Sequence, residues 1–387
     1  MQLDFQNTAT AFAHRSDADL QRALWMFRLI ASPALVNAGE KLVHFGLRMR
    51  LPLKPLVRAT LFRQFAGGET VEECIPRIEE LWRHKVATIL DYSVEGQSTR
   101  ADFDTTVQEI RKTIDLAHRH PAIPFSVFKM SGLTSPHVLE RQGSPAEFEA
   151  LRQRVLDICQ HAHNRQVPVF IDAEESWVQE TIDGLAEEMM QRFNRERPLV
   201  FTTLQFYRKD RLKYLEQLIQ KSYAGNFWLG IKLVRGAYLE KESARARQLH
   251  YPNPLQNSKE ETDADFNHAL DVCLQHLERI HICAGTHNEE STLYLVQKMQ
   301  QAGLAPDDPR IWFSQLLGMS DHISFNLAAA GYNVAKYMPY APVESLIPYL
   351  VRRARENTSV QGQTGRELRL LRQELRRRRQ VRRTPAN

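Results

Sequence analysis

Cysteine is scarce in this chain of 387 residues: only Cys74, Cys159, Cys273 and Cys283 occur. No two form a Cys-x-x-Cys pair, and no histidine stands at zinc-finger spacing from any of them. A disulfide framework and a zinc knuckle are therefore excluded, leaving reduced, buried thiols in a reducing compartment. Long apolar runs are also missing. No window approaches ~20 consecutive apolar residues, so no membrane span is expected. The N-terminus has neither the basic flank and apolar run of a secretory signal nor the arginine content of a transit peptide, which predicts a cytoplasmic protein. Gly-x-Gly-x-x-Gly is absent, which argues against a nucleotide-binding doubly wound sheet. Charge of one sign is lacking from the body of the chain. The net charge is +5, but residues 366–383 hold nine arginines against two glutamates. The rest is close to neutral, which argues against a nucleic-acid-binding surface.

What is present is ordinary globular material, 43% hydrophobic and 25% charged, long enough to bury a sizeable core. Residues 1–84 read as helical, broken at Pro33, Pro52 and Pro55. Thr70 is the expected cap of a helix running to about His84, with Glu73 completing a capping box. A rhythm then begins. The short apolar runs are Val86–Leu90, Phe125–Phe128, Val167–Ile171, Leu199–Leu204, Trp228–Val234, Ile280–Ala284, Ile311–Ser314 and Val334–Tyr337, separated by amphipathic helical segments. Such runs indicate parallel βαβ units, and eight of them in about 270 residues predict an α/β fold, a (β/α)8 barrel spanning 85–378. Residues 379–387 read as a disordered basic tail.

Chemistry in such a barrel comes from the carboxyl ends of the strands. In order these carry Asp91, Lys129, Asp172, Gln205, the Lys232–Tyr238 segment, Thr286-His287-Asn288, Gln315 and Tyr337. Lys129 and Asp172, on neighbouring strands, are expected to pair. Gly236 and Ala237 are expected to let a flat ligand approach the backbone. His287 has no second His or Cys near it, so a hydrogen-bonding role is favoured over a metal. After the last strand, with Pro339 and Pro342 expected to break the chain, Tyr349, Arg352, Arg353 and Glu356 stand at offsets 0, 3, 4 and 7, one face of a helix. Two adjacent guanidiniums form a fork for a carboxylate or phosphate, and Glu356 is one turn beyond.

Taken together, Phe128-Lys-Met-Ser-Gly-Leu133, Ile171-Asp-Ala-Glu-Glu175, Lys232-Leu-Val-Arg-Gly-Ala-Tyr238, Gly285-Thr-His-Asn288, Gln315-Leu-Leu-Gly-Met319 and Tyr349-Leu-Val-Arg-Arg-Ala-Arg-Glu-Asn357 resemble proline dehydrogenase over roughly residues 60–378. The resemblance is to a monofunctional member, with no aldehyde dehydrogenase module following. It implies a distorted (β/α)8 TIM-like barrel with N-terminal helices and a C-terminal helix over the mouth, non-covalent FAD, and oxidation of L-proline to Δ1-pyrroline-5-carboxylate with electrons passed to a quinone. By the same resemblance Arg352 and Arg353, assisted by Lys129, bind the substrate carboxylate. Tyr337, Tyr349, Leu317 and Ala237 border the substrate, Glu356 supports the arginines, and Asp172 orients Lys129. Asp172, Gln205, Lys232, Val234, Gly236, Ala237, Tyr238, Thr286, His287, Asn288 and Gln315 line the flavin. Some members have Arg where this chain has Lys232, so that contact departs from the pattern. No metal is implied.

Two other readings compete. In a sugar-phosphate lyase or aldolase the arginines would bind phosphate and Lys129 would form a Schiff base. In a nucleic-acid-binding protein the arginine-rich tail would make the contact, but it lacks interleaved aromatics. The tail also has Leu368, Leu371 and Leu375 along one edge, which suits either packing on the barrel or peripheral contact with the inner face of the cytoplasmic membrane.

Overall fold

Each apolar run becomes a strand buried on both faces, one meeting the barrel interior and the other the surrounding helices. In the computed structural model the strands are β1 (Ala87–Tyr92), β2 (Phe125–Phe128), β3 (Val169–Ile171), β4 (Val200–Gln205), β5 (Leu229–Val234), β6 (Ile280–Gly285), β7 (Ile311–Leu316) and β8 (Val334–Tyr340). They close in sequence order into a parallel barrel, with β8 pairing back onto β1. The structure describes residues 3–32, 54–94, 97–359 and 363–383, with backbone alone for 56, 354–359, 363–364 and 383.

Helices Arg100–Arg119, Pro145–Arg165, Ser176–Phe193, Arg211–Ala224 and Lys259–Gln275 follow the first five strands and form the outer ring. The barrel interior is filled, not hollow. Ala87, Ile89, Phe125, Val127, Phe170, Phe201 and Ala335 pack there below Tyr337, with the Phe125 and Phe170 rings stacked at 4.5 Å and Phe201 edge-on to both. A floor this tight confines ligands to the upper end, where the strands finish.

Helices α1 (Thr8–Ala11), α2 (Asp17–Ile30) and α3 (Val71–Arg83) precede the barrel, α4 (Glu289–Gln301) and α5 (Asp321–Ala329) follow β6 and β7 and continue the outer ring, and α6 (Val343–Ser359) and α7 (Gln363–Arg383) follow β8. Thr70 caps α3 by accepting from Glu73 N–H at 3.3 Å. The expected box does not close on Thr70, because the Glu73 carboxylate reaches one residue further and accepts from Glu69 N–H at 3.0 Å. Leu370, Leu371 and Leu375 of α7 pack against Ala11, Phe12, Leu20, Ala23 and Phe27, so the two ends of the chain share one apolar cluster. The terminal helix continues to Arg383 through part of the stretch expected to be disordered.

Pro339 does not break the chain as expected; β8 runs through it. Pairing with β7 ends at Tyr337, so the N–H that Pro339 lacks falls where no strand remains to accept it. Its carbonyl, on the same side, accepts from Gly67 N–H at 2.9 Å.

Candidate active site

Inward-facing positions at the tops of β1, β2, β3, β5 and β8 place five polar side chains in one mouth. Asp91 Oδ2 accepts from Lys129 Nζ at 2.6 Å, and also from the Ser93 hydroxyl. Lys129 Nζ donates to Tyr337 Oη at 3.2 Å. Tyr337 Oη donates to Asp172 Oδ2 at 2.8 Å. Asp172 Oδ1 accepts from Lys232 Nζ at 2.5 Å and from Thr203 Oγ1 at 3.3 Å. The expected Lys129–Asp172 pair is therefore corrected. Lys129 pairs directly with Asp91, Asp172 pairs with Lys232, and the Tyr337 hydroxyl joins the two pairs. Lys232 Nζ also lies 4.6 Å from the Tyr337 ring centroid, a cation–π contact that fixes the ring from one side.

Electrostatics keeps Asp172, Lys129 and Tyr337 each in one protonation state. Burial works against the Asp172 carboxylate, but Lys232 and Lys129 outweigh it and hold its pKa below the usual range. Burial likewise opposes charge on Lys129, and the Asp91 and Asp172 carboxylates override it, raising its pKa. Burial and the neighbouring Asp172 push Tyr337 well above its ordinary value, so it remains a hydroxyl. The mouth thus presents a cationic lysine, a neutral phenol and an anionic carboxylate in a row.

Helix α6 carries Tyr349, Arg352 and Arg353 to this mouth on one face, as their spacing predicts. The Arg352 and Arg353 guanidinium carbons lie 5.8 and 5.3 Å from the Tyr349 ring, and Arg352 lies 6.0 Å from the Tyr238 ring after β5. Arg352 acts electrostatically on Lys129 and Arg353 on His287, so the pair spans the mouth from β2 to β6. Glu356 belongs to the same helix, but its side chain is outside the described residues. Leu317 is buried in the layer between barrel and helices. Its neighbour Leu316, which strand alternation turns to the interior side, packs against the two clusters that contain Tyr349 and Tyr337.

Along β4 to β7 the polar residues are largely braced by one another. Gln205 Nε2 donates to the Glu174 carbonyl at 2.7 Å. Gln315 Nε2 donates to the Thr286 carbonyl at 3.1 Å, and its Oε1 accepts from Ser324 at 2.7 Å. Arg235 reaches Asp263, Thr286 and Ser291 at 2.5, 2.6 and 2.8 Å. Asn288 caps α4 through Ser291 N–H at 3.0 Å. His287 Nε2 accepts from Leu316 N–H at 3.4 Å, so Nδ1 carries the proton and donates to Ser320 Oγ at 2.9 Å. Burial, with Lys336 and Arg353 nearby, lowers its pKa to about 3 and keeps the ring neutral. Gly236 has φ +137°, and a Cβ there would lie 2.5 Å from the Tyr207 ring. Its freedom is needed for that ring contact rather than only for a ligand. Gly236 and Ala237 are nonetheless exposed, with Val234, Tyr238, His287 and Asn288 half-buried around them. This strip of small residues, rimmed by amides, a hydroxyl and cations, fits a flat ring with a polar edge.

Two acidic residues were given no role by the sequence reading, Glu174 within the Ile171–Glu175 motif and Glu367 in the terminal helix. Glu174 accepts from Ser131 N–H at 2.9 Å and braces the turn after Lys129; burial raises its pKa to about 7. Glu367 reaches the site from α7 and accepts from Ser320 N–H at 2.6 Å.

A family model described as proline dehydrogenase matches residues 74–366, which include every strand and both arginines. A carbapenem antibiotics biosynthesis protein, CarD, of Pectobacterium carotovorum subsp. carotovorum is 36% identical, covering 81% of this chain and 83% of that protein. The mitochondrial proline dehydrogenase 1 of Dictyostelium discoideum is 30% identical, covering 96% and 74%. A solved structure of proline utilization A (PutA) from Bdellovibrio bacteriovorus shares the fold at TM-score 0.74 and 20% identity, covering 90% of this chain and 38% of the PutA chain. A barrel closed over a packed floor, a mouth lined from β1 to β8, and a family match across both place the chain in the proline dehydrogenase family.

Proposed function

We propose that the protein oxidises L-proline to Δ1-pyrroline-5-carboxylate with non-covalent FAD and passes the electrons to a quinone. The observation that carries this reading is the side-by-side Arg352 and Arg353 on α6, brought over the Asp91–Lys129–Tyr337–Asp172–Lys232 chain. Two guanidiniums on one helix face match a carboxylate, and the Tyr337 and Tyr349 rings supply walls for a small apolar ring. Bound FAD would supply hydride acceptance from the carbon next to the substrate nitrogen. Asp172, Gln205, Lys232, Val234, Gly236, Ala237, Tyr238, Thr286, His287, Asn288 and Gln315 would hold it. Lys232, hydrogen-bonded to Asp172 at 2.5 Å, would place a donor beside negative charge that develops there.

Lys129 is held protonated, and the Asp172 carboxylate, its pKa lowered by Lys232 and Lys129, is too weak a base to take a proton from a secondary ammonium at neutral pH. The substrate amine therefore enters neutral, and the protein orients it rather than deprotonating it. The schiff-base role for Lys129 is disfavoured for the same reason, since that chemistry needs a neutral amine. Turnover of L-proline with a soluble quinone, read as product formed, tests the reading in wild type and Arg353→Met. A buried bidentate contact is worth several kcal/mol, so Arg353→Met should lower kcat/KM about a hundredfold while flavin content falls less. Normal turnover by the variant would remove the clamp.

A further inference from the structure

Six non-glycine residues of the described chain adopt a left-handed backbone: Lys85, Arg141, Gln166, Asn226, His250 and Ser320. The first five lie at or just past the C-terminal ends of helices, where this is an ordinary way to stop. Ser320 is different. At φ 52° and ψ 42° it stands immediately before α5, a position that is usually extended. Such a conformation costs a residue other than glycine about 1 kcal/mol or more and persists only when its surroundings enforce it.

The surroundings are the first turns of α7. Glu367 Oε1, on a side chain almost wholly buried, accepts from Ser320 N–H at 2.6 Å. The Ser320 hydroxyl in turn receives His287 Nδ1 at 2.9 Å. The preceding residue, Arg366, makes a bidentate pair with Glu289 at 2.7 and 2.9 Å, and Glu289 also meets His322 Nε2 at 2.9 Å. Glu289 begins α4 directly after His287 and Asn288. Two successive residues of α7 therefore grip the segments that follow β6 and β7, on either side of His287.

We propose that Glu367 is a positioning residue of the active site: it holds Ser320 in its left-handed turn, Ser320 fixes the His287 ring, and the C-terminal helix thereby sets the cofactor-facing edge between β6 and β7. The consequence for the cofactor rests on the function proposed above; the Glu367–Ser320–His287 linkage does not. What the linkage needs from Glu367 is a hydrogen-bond acceptor, which a glutamine retains and an alanine loses.

The test uses full-length protein with 15N-labelled histidine, without FAD, and assigns the His287 ring signal by its loss in His287→Asn. Wild type and Glu367→Gln should show one neutral Nδ1–H tautomer. Glu367→Ala and Ser320→Ala should shift or broaden that signal. Leu375→Ala, two turns further along α7, is a control that loosens the helix without touching the linkage and should leave it in place. If Glu367→Ala does not fold, Glu367→Met, which keeps the buried volume without an oxygen acceptor, takes its place against Glu367→Gln. FAD titration then reads the consequence, with affinity falling about tenfold in Glu367→Ala and recovering in Glu367→Gln, the effect of one unsatisfied buried group. A His287 signal unchanged in Glu367→Ala, or equally changed in Leu375→Ala, would overturn the proposal. Failure of wild type to bind FAD would defeat the proposed function and leave the histidine comparison standing.

Discussion

The Tyr337 hydroxyl is where the two ion pairs of the mouth meet, and this changes what mutation there should show. Lys129 and Asp172 do not touch; each bonds Tyr337 Oη, at 3.2 and 2.8 Å. Removing either one leaves its own partner, Asp91 or Lys232, with an unbalanced buried charge, a costly state. The losses from Lys129→Met and Asp172→Ala in kcat/KM should therefore be less than additive, and the coupling should shrink in a Tyr337→Phe background. Strict additivity in all backgrounds would show that the hydroxyl does not join the pairs. Glu174 gives a prediction about pH. Its carboxyl is raised to about 7 in the folded protein against 4.5 as a reference. Between those values the folded state holds a proton that the unfolded state has released, so wild-type stability falls as pH rises from about 4.5 to about 7 and is level beyond. Glu174→Gln lacks that titration. Its stability relative to wild type should rise over the same interval, by about 3 kcal/mol at most, as read from denaturant midpoints at pH 5 and 8. A constant difference would mean that the carboxyl titrates normally.

Among the elements, the strands were the most legible and α7 the least. Eight runs of Val, Ile and Phe announce strands because both faces are buried, and all eight form at nearly the expected places. The continuation of β8 through Pro339 was hidden, because whether a proline is tolerated depends on which neighbouring strand has already ended. For α7, the apolar edge Leu368, Leu371 and Leu375 was readable, but its partner was not: it packs on α1 and α2 rather than on the barrel wall. Arg378 is similarly committed, donating to the carbonyls of Phe12 and Arg15 and to Asp17 and Glu374. Arg369, Arg372, Arg376 and Arg379 face outward in a stripe. Any membrane contact by α7 would then be electrostatic, about 1 kcal/mol per arginine and weakened by salt. Flotation with anionic vesicles should be weak, lost at high salt, and lost when Arg369, Arg372, Arg376 and Arg379 are replaced by glutamine. Flotation unaffected by that change would move the contact elsewhere.

For the whole molecule, the sequence led to the fold and to most of the residues at the mouth, but not to their pairing. Strand order and alternation are written in local pattern. Which carboxylate meets which lysine is decided by register and by competition across the barrel, as Lys232 on β5 takes Asp172 from its neighbour Lys129. Glu367 had no local signal, since its role exists only once α7 returns to the strand ends. Among the described residues no helix is long and apolar enough to cross a membrane. Oxidation of proline through a flavin at this mouth, as proposed, is tested most directly by the anaerobic absorption spectrum of purified protein before and after L-proline. A flavin band that bleaches when proline is added is the expected result. A protein without the band that takes up no FAD, or a band that proline leaves unchanged, would contradict it.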